Sequence, residues 1–179
     1  MGKSKNFLPL SAHVSFPILL LLALFLSGCY TVDQEIIGAQ DASCVYNLPG
    51  PYSDINYPEQ KTIISAVPDS NDYRFKRITR EKTSTGYIRA IPLRDDIYIV
   101  QFKFDDEDVY YIDFYQFTSD KYYFPFEVRD YDALGALATQ YNVTLDFDDV
   151  FGENYLSGSR ENILAFLGAH SGLKMERVK

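Results

Sequence analysis

The strongest constraint on this chain is a series of short, turn-punctuated segments dense in aromatic rings: between Tyr98 and Phe126, 12 of 29 residues are Tyr or Phe. Aromatic and β-branched side chains suit the half-buried surface of a pleated sheet. Segments 43–48, 61–67, 72–80, 85–93, 97–104, 109–118 and 122–128 each read as a strand. Pro68, Asp69, Ser70 and Asn71 form one turn signal, residues 105–108 a second, and Thr118, Ser119 and Asp120 a third. Connections this short join antiparallel neighbours, so the expected core is an antiparallel meander or partly closed barrel with no parallel crossovers.

The segment 109–118 carries Val109, Tyr111, Asp113, Tyr115 and Phe117 on one face and Tyr110, Ile112, Phe114 and Gln116 on the other. Neither face is conventionally polar, which predicts a central strand covered on both sides. The C-terminal third supplies the cover. Leu134, Leu137, Ala138 and Tyr141 recur at helical spacing behind Asp130 and Asp132, and Ile163, Phe166 and Leu167 do so after Ser157 and Ser159. One more short strand is expected at 143–147. The predicted class is α+β, mostly β, with the sheet at 43–128 and two C-terminal helices within 129–179. At 179 residues the chain is long enough for one such domain plus an appendage.

The appendage is at the N-terminus. Lys3 and Lys5 precede an apolar run at 16–26, FPILLLLALFL, followed by Ser27, Gly28 and Cys29. Eleven helical residues reach only about 16 Å, too short for a bilayer core of ~30 Å, so this is the layout of a secretory signal. The tetrapeptide Leu26-Ser27-Gly28-Cys29 resembles the lipobox of bacterial lipoproteins. That resemblance implies cleavage after residue 28 and acylation of Cys29, with Tyr30 rather than Asp after the cysteine favouring the periplasmic face of the outer membrane. It divides the chain into a signal peptide at 1–28, a lipid-anchored tether at 29–42 and a globular domain at 43–179. Multiple acyl chains make such an anchor durable, at ~0.8 kcal/mol per buried CH₂.

Removing residues 1–28 takes away Lys3 and Lys5 and no acid, leaving 15 basic and 25 acidic residues, a net charge of −10. Such a chain offers no broad cationic face to phosphates, which argues against nucleic acid as a partner. With Cys29 acylated, Cys44 stands alone and is expected to be a small buried thiol. His170 is the one histidine left. It falls near a helix C-terminus, where terminal carbonyls favour a cation, and a capping or partly buried role is expected.

One histidine and one thiol leave no basis for a His-rich zinc site or a Cys-His nucleophile. Around the serines, Ser157-Gly158-Ser159 lacks the spacing of a nucleophile elbow. Asp146, Asp148, Asp149, Glu153 and Asn154 gather oxygen ligands, yet Val150 and Phe151 occupy the fifth and sixth places of an EF-hand register that needs Asp or Asn and then Gly. The sequence therefore calls for no catalytic residue, metal or cofactor.

Two candidate binding features remain. Tyr98, Tyr111 and Tyr115 could line a barrel mouth, since a tyrosine ring offers apolar area and a hydroxyl at little entropic cost. Asp105, Asp106, Glu107 and Asp108 form an acidic hairpin loop suited either to solvation or to a basic partner. Leu48-Pro49-Gly50-Pro51-Tyr52 also resembles the Gly-x-Trp opening of lipocalin-like barrels, with Gly50 and Tyr52 at the matching positions and Tyr replacing Trp. That three-residue likeness implies a pocket for a lipid or other hydrophobic ligand. The expectation is a lipid-anchored envelope lipoprotein acting as a non-catalytic binding or assembly module. Its partners are the membrane and an envelope protein or hydrophobic ligand. The alternatives are a small lipid-binding barrel and an acidic inhibitor of a basic envelope enzyme.

Overall fold

The computed structural model describes residues 30–45, 48–54, 58–148 and 153–178. Its strands are β1 (Tyr30–Val32), β2 (Gly50–Asp54), β3 (Lys61–Ala66), β4 (Tyr73–Ile78), β5 (Thr83–Arg94), β6 (Ile97–Phe104), β7 (Tyr110–Phe117), β8 (Tyr122–Glu127), β9 (Thr144–Asp148), β10 (Glu153–Ser157) and β11 (Glu176–Arg177). Helix α1 (Tyr131–Gln140) lies between β8 and β9, and α2 (Arg160–Ala169) follows β10 and ends in a 3₁₀ turn at His170–Gly172. No helix among the described residues is long and apolar enough to cross a membrane.

Strands β2 to β8 close into a seven-stranded barrel. The meander from β2 to β7 is antiparallel throughout. Strand β8 then returns antiparallel to β7 and meets β2 in parallel, with Ser53 opposite Tyr122 and Asp54 opposite Tyr123. The expected core was an antiparallel meander with no parallel crossovers; the closing seam is parallel, and so is β1 beside β10, with Tyr30 opposite Asn154. Neither seam joins neighbours in the chain, so connection length could not reveal it.

The outer edge of β7 is shared. Residues Phe114 to Phe117 pair with β8, whereas Tyr110, Tyr111 and Ile112 pair with β1. Between the two partners stands Asp113. Here the sheet forks, and β1, β10 and β9 leave the barrel as a three-stranded wing.

Alternation on the strands produces two cores. Inside the barrel Tyr52, Ile64, Tyr73, Phe75, Ile88, Ala90 and Val100 are buried, with Tyr98, Phe102, Phe104, Tyr115, Phe117 and Tyr123 packed beside them. Outside, Ile97, Ile99, Ile112 and Phe114 meet Tyr30 and Val32 of the wing and Leu134, Ala138, Ile163, Phe166 and Leu167 of the helices. The expected cover on both sides of β7 is therefore present.

Both helices start where their caps predict. Asp130 accepts from the Ala133 N–H, and Ser159 accepts from the Asn162 N–H. Helix α1 ends with Asn142 in the left-handed region at φ 52°. The Val143 N–H then reaches the Ala138 carbonyl, a paired closure typical of such ends. Gly86 is needed for another reason: Phe75 lies across it on β4, and a Cβ there would overlap the Lys103 carbonyl oxygen.

Segment 43–48 was expected to be a strand, but residues 43–45 are irregular and 46–47 lie outside the described residues. The 29–42 tether is also revised. Tyr30, Thr31 and Val32 are buried in β1, and Ile36 and Ile37 are fully buried after it. Gln101, projecting from β6 into the outer core, accepts from both Ile36 N–H and Ile37 N–H at 2.7 and 2.8 Å. Arg89 ties the same segment down through Glu35, the Ile37 carbonyl and Asp72. A polar side chain in each of two strands thus turns an aperiodic sequence into structure.

Candidate functional site

Cys29, the predicted lipidation residue, lies outside the described residues, as does the signal segment. The first described residue is Tyr30, and its surroundings define one candidate site. Its ring sits in the outer core among Phe114, Phe166 and His170. Its hydroxyl lies 3.0 Å from His170 Nε2, while His170 Nδ1 lies 2.9 Å from the Phe166 carbonyl oxygen. A carbonyl can only accept, so Nδ1 carries the proton and Nε2 accepts from the tyrosine.

His170 is completely buried and stacks on Phe114 at 4.8 Å. Burial pushes its pKa down to about 4, against the opposing pull of the Phe166 and Leu167 carbonyls. The expected capping, buried role is what the structure shows: His170 caps α2, and it does so as a neutral ring. A helix terminus favours a cation by up to ~2 kcal/mol, less than the cost of bringing an unpaired charge into an apolar core. Both ring nitrogens are occupied, and the imidazole is held as structure rather than presented to solvent.

The barrel interior forms the second candidate. Tyr98 and Tyr115 are cross-strand partners on β6 and β7, and both point inward. With Phe117 and Tyr123 they form a ring cluster, Tyr115 meeting Tyr123 edge to face at 5.6 Å. Tyr111 lies on the same face of β7 toward the acidic loop, where it stacks on Phe102 at 5.3 Å and donates to Glu107 at 2.7 Å. The three predicted tyrosines therefore line one wall but not one mouth. All three are half-buried.

Of the acidic loop, Asp105 is committed to the fold. It accepts from Arg74 at 2.5 Å and from Thr85 at 2.7 Å, contacts that hold its carboxyl below the usual carboxylate range. With Asp105 held by Arg74 and Thr85 and Glu107 engaged by Tyr111, the exposed Asp106 and Asp108 are the loop's carboxylates most open to a partner. The loop closes the β6–β7 hairpin and only in part offers a negative surface.

Between Tyr111 and Tyr115 stands a residue the sequence did not single out. Asp113 faces the barrel interior at the fork and is 5% exposed. Its carboxylate accepts from the Phe114 N–H at 2.7 Å. Desolvation raises its pKa to about 7, outweighing hydrogen bonds from Phe114 and Tyr115 and reinforced by the charge of Glu127. The available signal was an acid at an inward position of an otherwise aromatic face. In sequence nothing told which face of the covered strand turns into the barrel, so the acid had no assigned surroundings.

Cys44 is exposed, which corrects the expected buried thiol. Its neighbours Ala42 and Val45 take the inward positions, leaving the thiol outside, where the Tyr73 hydroxyl approaches it at 3.9 Å. The calcium-like cluster is spread along the β9–β10 hairpin. Asp146 is exposed opposite Tyr155, Asp148 pairs with Glu153 through the backbone, and Asp149 lies outside the described residues. Among the described residues no group of three His, Cys, Asp or Glu side chains could hold a metal ion. A depression of about 320 Å³ lined by Ala39, Asp69, Ser70 and Asn71 lies on the surface away from the barrel interior.

Compared with known proteins, the chain matches no family model, no curated protein and no solved structure.

Proposed function

We propose that this chain is a lipid-anchored envelope protein, attached through Cys29, whose barrel and helices form a non-catalytic binding or assembly module on the periplasmic face of the outer membrane. The observation that carries the reading is the basic start, apolar run and LSGC ending at Cys29. It is supported by the burial of Tyr30, the very next residue, in a strand paired on both sides. A leader that is removed and a domain that begins at the next residue fit cleavage before Cys29. The non-catalytic part of the reading is supported by His170, the sole histidine after residue 28, whose two nitrogens are engaged in the core.

The test is fractionation of the native host expressing Cys29→Ser beside the unaltered protein. The reading expects the unaltered protein in the membrane fraction and the variant, still carrying its leader, unprocessed. A processed, soluble variant would place cleavage elsewhere and reject the anchor.

A second reading, a barrel that takes a hydrophobic ligand, is favoured by one observation. Tyr98, Phe102, Phe104, Tyr115 and Phe117 face inward yet remain only half-buried. Apolar rings left partly uncovered inside a barrel are places where a ligand gains contact area. Saturable quenching of tyrosine fluorescence by a fatty acid would support it, and an unchanged spectrum would reject it.

A further inference from the structure

We propose that the mature domain sits directly against the phospholipid headgroups, with no intervening tether, on the edge where β1 enters the sheet and β8 leaves it. The inference rests on the anchoring reading and deepens it by assigning the face that meets the bilayer. Consecutive Cα atoms are about 3.8 Å apart. Tyr30 is 4% exposed, hydrogen-bonded to His170, and fixed in register between Ile112 of β7 and Asn154 of β10. An acylated residue one peptide bond before it therefore has no free chain with which to stand off. A flexible spacer of about ten residues would separate its ends by ~16–19 Å, and this chain has none.

Two exposed tyrosines near that edge are of the kind that partition to a membrane interface, one of them standing between the exposed Asp130 and Asp132. Among the described residues three large hydrophobic side chains are exposed: Ile63, Tyr131 and Tyr155. Two of them flank this edge. Tyr155 is the register partner of Thr31 in β1, and Tyr131 opens α1 just after β8 diverges from β7. Arg129, between β8 and α1, is 54% exposed and already paired with Glu127 at 2.6 Å and Glu176 at 3.8 Å, so it adds no net positive charge to this edge. Tyrosine rings favour the headgroup level, where the ring meets acyl chains and the hydroxyl meets water. Strand β4, with the exposed Lys76, stands on the opposite wall of the barrel and would face away from the bilayer.

The test uses natively acylated protein carrying Cys44→Ser, purified from membranes and reconstituted into phospholipid vesicles with a nitroxide on the headgroup. A fluorophore is placed at Asp132→Cys, beside the proposed edge, or at Lys76→Cys, across the barrel. Quenching several-fold stronger at position 132 than at 76 is expected, and a glycine-serine spacer inserted between Cys29 and Tyr30, or the pair Tyr131→Ser and Tyr155→Ser, should diminish the difference. Equal quenching at the two positions without the spacer would overturn the proposal. So would energy transfer between labelled copies that rises with protein density and is lost in the double variant, because it assigns the edge to a second copy of the chain. Intact mass on the same samples reports acylation separately. If Cys29 proves unmodified, the anchoring reading fails, and the seating is measured on the chain from residue 29 with a maleimide lipid coupled to that thiol. Equal quenching there overturns the seating on its own.

Discussion

The Tyr30 hydroxyl donates to His170 Nε2 across 140 positions of sequence, joining the first described strand to the end of the last α-helix inside one buried aromatic cluster. The bond makes β1 the strand that clasps the barrel to its helical cover. Tyr30→Phe leaves Nε2 without its donor, and an unsatisfied buried group costs about 1–3 kcal/mol. A denaturation midpoint lowered by that amount with an unchanged slope is expected. Titration of His170 by NMR should give a midpoint near 4, as its burial dictates. A midpoint near the ordinary 6.5 would contradict the neutral, buried ring.

Stability should respond to pH through two buried groups that oppose each other. His170, at about 4 when folded against 6.5 ordinarily, is protonated only in the unfolded chain between those values, so acidification through that window removes stability. Asp113, at about 7 against 3.8 ordinarily, keeps its proton only in the folded chain, so raising the pH from 3.8 to 7 removes stability. Each contribution is on the order of 3 kcal/mol, and the two largely cancel. Asp113→Asn eliminates one of them. Its advantage over the unaltered protein should grow between pH 4 and pH 7, as read by thermal melts across that range. A constant difference would show that Asp113 does not titrate as described.

Gln101 is the polar residue on which the 33–42 segment depends. Gln101→Leu fits the outer core in size but strands the N–H groups of Ile36 and Ile37, so a loss of about 2–4 kcal/mol is expected. Hydrogen exchange should speed up at Ile36 and Ile37 before the barrel strands respond.

Gly86 tests the close packing of β4, β5 and β6. In Gly86→Ala the new methyl overlaps a backbone carbonyl and comes 2.5 Å from the Phe75 ring, so backbone has to shift. A cost of about 1–3 kcal/mol, or more, is expected. The companion change Phe75→Leu should recover little of it, because the backbone contact remains.

What was legible in the sequence was whatever repeats locally. Strands β3 to β8 fall within a few residues of their expected positions, because their alternation and turns are written in consecutive residues. Asp130 and Ser159 marked the helix starts for the same reason. Strand β1 was hidden because Tyr30, Thr31 and Val32 are buried on both faces and show no alternation. Strand β10 was hidden by its acid and asparagine, which resembled ion ligands or a helix lead-in. The parallel seams were hidden because each joins segments far apart in the chain. At the candidate sites, Tyr98, Tyr111 and Tyr115 were found by residue type, while their division along the barrel wall depends on strand register. Asp113 emerges only once β7 is seen to change partners at that residue.

The central claim concerns Cys29, and its most direct test is the intact mass of the protein extracted from the membranes of its native host. A mass matching residues 29–179 plus a diacylglycerol thioether, with the added mass on the N-terminal cysteine, is the predicted result. A chain that retains residues 1–28, or one that begins at residue 29 with a free thiol, would contradict it.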